Sequence, residues 1–143
     1  MSKQLYFEDV EVGQEVPPVH KLLTNEMLTR YCGATDDYSR QHYDHLYAVS
    51  RGWDTVIAHG LLGTAFLGQM LTDWIGEDGW VRKIGDTYRS PGCPGDTFIG
   101  KGKITQKYFQ GGDHLVDLDI WIENQKGTLC TPGKATVVLP SKG

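Results

Sequence analysis

The 143-residue sequence predicts an α+β domain in which one long apolar helix packs on one face of a sheet. Between Gly60 and Ile75, apolar residues recur at three- and four-residue spacing, which is typical of a helix buried on most sides. From Val116 to Glu123, apolar and polar residues alternate strictly, which indicates a half-buried strand. Four strand patterns follow the helix in all, and this order favours a helix packed against a sheet.

The chain before the long helix predicts one strand and two short helical stretches. The strand covers residues 15–23 and lies at an edge of the sheet, because Pro17-Pro18 cannot donate hydrogen bonds to a central ladder. Thr24 is a predicted N-cap, and the helix that it opens ends at Gly33. Residues 45–49 predict one or two further helical turns.

The chain after the long helix is strand-like. Gly76 is the predicted end of the helix, and Asn124–Gly127 form a turn between two strands. Pro132-Gly133 predicts a bulge at the beginning of the last strand, which ends at Pro140. The predicted strands cover residues 80–89, 97–107, 116–123 and 135–139.

Composition predicts a single globular domain over residues 1–143. Hydrophobic residues make up 39% and charged residues 22%, as in ordinary soluble domains. A formal charge of -4 without basic clusters argues against nucleic acid and against an anionic membrane surface as partners. Three scattered cysteines without a C-x-x-C pair indicate reduced thiols and a cytoplasmic protein. The apolar helix is too short to cross a bilayer, and we expect no membrane partner.

Asp37 and His42 lie five residues apart in a predicted polar loop. Such loop residues usually cap or solvate the chain, and acid–base catalysis is the alternative interpretation. At the start of the long helix, the backbone N–H groups near Gly60 lack helical acceptors and can bind a polarised oxygen. Because Gly60 has no side chain, a substrate carbonyl can approach it closely.

A metal site is a weaker interpretation of the same region. His42, Asp44, His45 and His59 all carry ligand atoms. Their spacing fits no standard site, and two histidines three residues apart are common by chance. We therefore expect no bound metal.

Two motifs carry a resemblance to a known family. Asp37 and His42, followed by Ala58-His59-Gly60 at the head of a long helix, resemble the MaoC-like, (R)-specific enoyl-CoA hydratases. The family motif reads approximately Ser-Gly-Asp-x-Asn-Pro-x-His, and residues 35–42 read Thr-Asp-Asp-Tyr-Ser-Arg-Gln-His. The Asp and His match, and Ser39 stands at the Asn position. Pro91 to Asp96 is similar to the family's Pro-x-x-x-Gly-Asp strand opening.

The resemblance implies a hotdog fold, a curved antiparallel sheet wrapped around one long central helix. It implies a 2-enoyl-CoA hydratase or 3-hydroxyacyl-CoA dehydratase, with Asp37 and His42 as the catalytic pair. Gly60, Ser39 and His59 would form the oxyanion and substrate-binding group, with Gly60 stabilising the thioester oxygen. Ser39 would support the loop by hydrogen bonding backbone groups, and His59 would be mainly structural, bonded to a neighbouring carbonyl. Coenzyme A would be part of the substrate, and no separate cofactor is expected. The site would be completed in a homodimer, a higher oligomer or a heteromer.

Two alternatives share this fold. A hotdog thioesterase needs a carboxylate near the thioester carbon, and the long helix offers only Asp73, far from its start. A partner subunit that binds acyl-CoA without turnover does not need Asp37 and His42, which this chain retains. Small residues on the helix, together with residues 71–76 and 83–85, resemble a subgroup of the family that handles bulky acyl chains.

Overall fold

The computed structural model describes residues 3–143, which form one five-stranded antiparallel sheet and three α-helices within that range. The elements in chain order are β1 Glu15–Leu22, α1 Asn25–Thr35, α2 His45–Ser50, α3 Gly60–Ile75, β2 Trp80–Asp86, β3 Thr97–Gln110, β4 Asp113–Glu123 and β5 Leu129–Leu139. Short 3-10 helices cover Phe7–Asp9 and Arg40–His42. The strand order is β1-β3-β4-β5-β2, so β1 and β2 are the edge strands.

The long helix α3 has the predicted bounds and contacts all five strands. Its buried residues are Leu62, Gly63, Phe66, Leu67, Met70, Leu71 and Ile75. They meet the buried face of β4, whose inward residues are Val116, Leu118, Ile120 and Ile122. Because burying a large apolar side chain contributes roughly 1.5–3 kcal/mol, this helix–sheet layer supplies the main driving force for the fold.

Edge strand β1 carries the predicted Pro17-Pro18 pair. Its pairing with β3 is interrupted between Val16 and Val19, where the two prolines cannot donate. The edge prediction is therefore confirmed.

Several element boundaries differ from the sequence prediction: β3 extends to Gln110 and β4 begins at Asp113, each three residues beyond its predicted range. Helix α1 continues through Gly33 to Thr35, and Asp36 takes the left-handed conformation that ends it. Strand β2 ends at Asp86, before the predicted Arg89, and β5 begins at Leu129. Pro132-Gly133 is paired in register with β4, so the predicted bulge is wrong at that position. The irregularity lies beside it, between Ile122 and Glu123 of β4.

Within residues 3–143, no helix combines the length and apolarity that a membrane crossing requires.

Candidate functional site

Asp37 lies two residues beyond the end of α1, in the loop that the sequence predicts. Asp36 has φ 55°, and this left-handed residue turns the chain away from the helix axis. The Asp37 side chain is 48% exposed. Its Oδ1 accepts a hydrogen bond of 3.2 Å from the backbone N–H of Ser39. Ser39 thus supports the loop through its main chain, and its exposed side chain does not make the backbone contact that the sequence suggested.

His42 ends the 3-10 helix Arg40–His42 and is its buried residue, so the predicted solvated position in a polar loop is wrong for this side chain. The side chain is only 7% exposed. Its Nδ1 lies 2.7 Å from the carbonyl oxygen of Ile57, which can only accept, so Nδ1 carries the proton. In the neutral imidazole, Nε2 is then an acceptor. The N–H of Ile57 bonds back to the carbonyl of Gln41 at 3.0 Å, which fixes the ring against the segment before α3.

His59 is the residue immediately before α3 and is 3% exposed. Its Nε2 donates to the carbonyl oxygen of Asp37 at 3.2 Å, which is the neighbouring-carbonyl bond expected from the sequence. The same nitrogen lies 3.6 Å from Cys32 Sγ. Burial lowers the pKa of His59, which favours the neutral ring. Its Nδ1 is buried without a partner among residues 3–143.

The two imidazoles stack, with ring centroids 3.7 Å apart and planes 21° from parallel. One ligand atom each from Asp37, His42 and His59 lies within 4.8 Å of the others. A metal held by both histidines must lie in both ring planes, about 2 Å from each nitrogen. Stacked rings with centroids 3.7 Å apart and planes inclined by only 21° have no such common point near both nitrogens, so the geometry disfavours a shared ion.

The other residues of the weaker metal interpretation lie in separate contacts. Asp44 caps α2 through the N–H of Tyr47 and pairs with Arg40 at 2.8 Å. His45 faces Thr55 at 3.3 Å. The four-residue set considered from sequence is therefore not one cluster.

Gly60 opens α3, and its N–H and that of Leu61 have no hydrogen-bond acceptor among the described residues. The space beside its Cα is filled by Tyr88. A Cβ on Gly60 would lie 2.5, 2.6 and 2.8 Å from three atoms of the Tyr88 ring. The expected open approach to Gly60 is thus limited to the N–H side, and the glycine is also required by an aromatic neighbour.

Tyr88 is held by a short chain of hydroxyl contacts. Thr64 Oγ1 donates to Asp86 Oδ2 at 2.8 Å, so the Tyr88 hydroxyl, 2.9 Å away, donates to Thr64. The loop that carries Tyr88 is tied to the start of α3, because Ala58 N–H donates to the carbonyl of Gly92 at 2.8 Å.

A cavity of about 320 Å³ joins these groups. Its lining includes His42, His59 and Gly60, together with Tyr88 and Arg89. Its apolar walls include Trp53, Ile57, Ala58, Gly63, Pro91 and Phe98. Asp37 and Ser39 do not line the cavity. Asp37 reaches the cluster from the solvent side, within 4.0 Å of His59 Nε2.

Four residues of the site were not predicted from the sequence: Cys32, Ile57, Thr64 and Tyr88. Tyr88 follows β2 in a segment that carried no motif of its own. The nearby strand opening at Pro91–Asp96 was the one motif close to this loop. It did not indicate that the loop reaches Gly60.

Several solved structures have the same architecture as this chain. R-hydratase PhaJ1 from Pseudomonas aeruginosa, in the unliganded form, has a TM-score of 0.87 and 21% identity over 97% of this chain and 88% of that chain. A MaoC-like dehydratase from Rhodospirillum rubrum has a TM-score of 0.85 and 18% identity, over 97% and 99%. The ChsH1–ChsH2 complex from Mycobacterium tuberculosis has a TM-score of 0.80 and 22% identity, over 90% and 98%. No protein-family model and no curated protein matches the sequence.

Proposed function

The chain has the hotdog fold of the R-hydratases and MaoC-like dehydratases, and from this premise we propose that it is an (R)-specific 2-enoyl-CoA hydratase. The same catalyst run in reverse is a 3-hydroxyacyl-CoA dehydratase. Asp37 and His42 are the proposed catalytic pair, and the N–H of Gly60 is the proposed donor to the thioester oxygen. The acyl-CoA thioester is the substrate, and no further cofactor takes part.

The observation that carries the proposal is the presence of two hydrogen-bond acceptors beside one cavity. The Ile57 carbonyl fixes the His42 proton on Nδ1, which leaves Nε2 as an acceptor. The Asp37 carboxylate lies in the same cluster, whose ligand atoms are all within 4.8 Å of one another. Two acceptors at that separation can each bind one hydrogen of a single water at about 2.8 Å. A water held by both hydrogens presents its oxygen lone pair to an electrophilic carbon.

The proposed hydration balances with these groups alone. The water oxygen bonds to C3 of the enoyl chain as Asp37 or His42 takes its proton. The double-bond electrons move toward the thioester carbonyl, and C2 receives a proton from the pair. The N–H of Gly60 stabilises the charge that builds on the thioester oxygen, and losing such a donor typically costs about 3 kcal/mol in the transition state.

The thioesterase alternative lacks a carboxylate in the right part of the long helix. Asp73 is exposed and thirteen residues beyond Gly60, which is about 20 Å at a rise of 1.5 Å per residue. A binding subunit without turnover would not require an acceptor pair beside the cavity. Hydration therefore explains more of the observed geometry than either alternative.

The test is hydration of but-2-enoyl-CoA by the wild type and three variants. Asp37→Asn removes the carboxylate base, and His42→Asn removes Nε2 while its amide can still donate to the Ile57 carbonyl. Each change should lower kcat by about 10²–10⁴, the usual scale for general acid–base groups. The double variant should fall little further, because residues that act on one water are not additive. Chiral analysis should identify the (R)-3-hydroxyacyl product.

Asp36→Asn is the matched control, since it changes the neighbouring carboxylate at a left-handed position that Asn tolerates. It should retain the wild-type rate. Near-normal turnover by Asp37→Asn would contradict the assignment of the pair. Release of free CoA faster than hydration would instead favour the thioesterase.

A further inference from the structure

Gly63 is the furthest residue along α3 that lines the cavity, one helical turn beyond Gly60. Gly63 lies three residues further along α3, about 4.5 Å at the usual rise per residue. A Cβ on Gly63 would lie 3.1 Å from Ile122 Cδ1 on β4. It would lie 3.9 Å from both Phe98 Cε2 on β3 and Thr131 Oγ1 on β5. At this level the helix lies close to three neighbouring strands, and an added methyl group would fill the space between Gly63 and the sheet.

Phe98 forms the end wall, and its ring is packed on the side away from the cavity. The side chain is buried and lines the cavity opposite Gly63. Its other side covers Gly92, where a Cβ would overlap the ring and approach Leu23 Cδ1 to 2.5 Å. The Gly92 carbonyl is itself bonded to the N–H of Ala58 at 2.8 Å. The ring cannot turn aside without moving the loop that carries part of the site.

The core beyond this wall is closely packed. A Cβ on Gly100 of β3 would contact Leu67 Cδ2 at 3.5 Å and Met70 Sδ at 3.7 Å. Leu67 and Leu71 are fully buried. Close-packed interiors of this kind resist added volume, so an acyl chain cannot extend into the core without displacing side chains.

The volume of the cavity sets the same limit on the length of the acyl chain. Small-molecule sites commonly hold about 300–1,000 Å³, and this cavity of about 320 Å³ lies at the lower end. Part of that volume must hold the thioester group and the end of the CoA arm. The remaining volume beyond Gly60 holds only a few carbon atoms of the acyl chain.

We infer that the cavity selects short 2-enoyl thioesters, of butenoyl to hexenoyl size, and that Phe98 sets the limit. The inference rests on the proposed function and specifies its substrate class. It opposes the bulky acyl chain suggested by the small residues of α3, because Gly63 is used to bring the helix against the sheet.

The test is a panel of but-2-enoyl, hex-2-enoyl, oct-2-enoyl and dodec-2-enoyl-CoA with the wild type. The value of kcat/KM should fall at least tenfold between hexenoyl and octenoyl. Phe98→Leu should raise the octenoyl value relative to butenoyl by tenfold or more, since the shorter side chain opens the end wall. Thermal unfolding would establish that this variant is folded. A flat profile to dodecenoyl in the wild type, or an unchanged profile in folded Phe98→Leu, would overturn the inference.

Phe109→Leu is the matched control, because Phe109 lies on the same strand but is largely exposed near its far end. Its profile should equal that of the wild type, and a shift like that of Phe98→Leu would overturn the role given to the end wall.

Failure of the proposed function gives a different result, namely no hydration of any thioester in the panel. In that case calorimetric binding of saturated acyl-CoA still measures the depth of the cavity. Affinity that stops rising beyond hexanoyl supports the inference. Affinity that rises about fourfold with every added methylene up to dodecanoyl, as full burial would give, overturns it.

Discussion

Replacing Gly60 by alanine tests the contact between the start of α3 and Tyr88. The new Cβ would lie 2.5–2.8 Å from three ring atoms of Tyr88, well inside van der Waals contact. Gly60 does not have a positive φ, so the backbone accepts alanine without strain. The whole cost therefore comes from the aromatic neighbour, which is 50% exposed and can swing outward.

The expected loss of stability follows from these contacts. Forcing extra volume into a packed contact costs about 1–3 kcal/mol. Breaking the bond from the Tyr88 hydroxyl to Thr64 is part of that cost, at about 0.5–1.5 kcal/mol. Alanine returns up to about 1 kcal/mol through its helix propensity. We expect Gly60→Ala to lower the free energy of unfolding by about 1–2 kcal/mol in urea titrations followed by tryptophan fluorescence.

The same change in a Tyr88→Ala background should be neutral or slightly stabilising, because the ring is absent. The difference between the two backgrounds is the coupling energy of the pair, about 1–3 kcal/mol. Gly68→Ala is the control on the same helix, since nothing lies within 4 Å of its Cβ position, and it should be stabilising by up to about 1 kcal/mol. Equal costs of Gly60→Ala with and without Tyr88 would refute this account.

Two further predictions concern pH and assembly. Burial lowers the pKa of His59 below its ordinary 6.5, so the unfolded chain binds more protons in the window just below that value. Stability should therefore fall as the pH is lowered through 6.5 and level off once folded His59 is protonated. In urea titrations, His59→Gln should flatten this pH dependence. An unchanged slope of stability against pH in the variant would contradict the prediction. For assembly, β2 has a sheet partner on one side only within the described residues, so light scattering should give at least twice the mass of one chain. A monomer with full hydration activity would count against an oligomeric site.

The elements predicted best are those whose signal is local and repeated. The bounds of α3 follow from sixteen residues of apolar periodicity between Gly60 and Ile75, ended by a glycine. The alternation of β4 was equally clear, and its four inward residues are all buried. In contrast, Gly33 looks like a helix end but lies inside α1. The side chain of Thr35 bonds back to the Tyr31 carbonyl at 2.7 Å, and Asp36 takes the terminal left-handed conformation.

The beginning of β5 depends on tertiary context. Pro132 lacks an N–H, and from sequence it argued against a regular strand. In the sheet, its carbonyl accepts from Thr87 N–H at 2.9 Å, on the side where β2 has just ended. In an antiparallel strand, the N–H and C=O of one residue point to the same side. The nitrogen of Pro132 therefore points to the side where β2 has ended, and no strand carbonyl on that side needs an N–H from it. The proline is therefore compatible with pairing to β4 on the other side.

The same distinction explains which part of the site was predictable. Asp37, His42 and Gly60 stood out because each belongs to a motif of a few residues. Tyr88 is twenty-eight residues beyond Gly60 in the chain and reaches it only after β2 has paired with β5. The Ile57 carbonyl, which sets the tautomer of His42, is a backbone atom that any residue type would supply. The proposed chemistry therefore depends on which nitrogen of His42 carries the proton, and side-chain identity alone does not encode this. The fold determines it by placing the segment before α3 against the 3-10 turn.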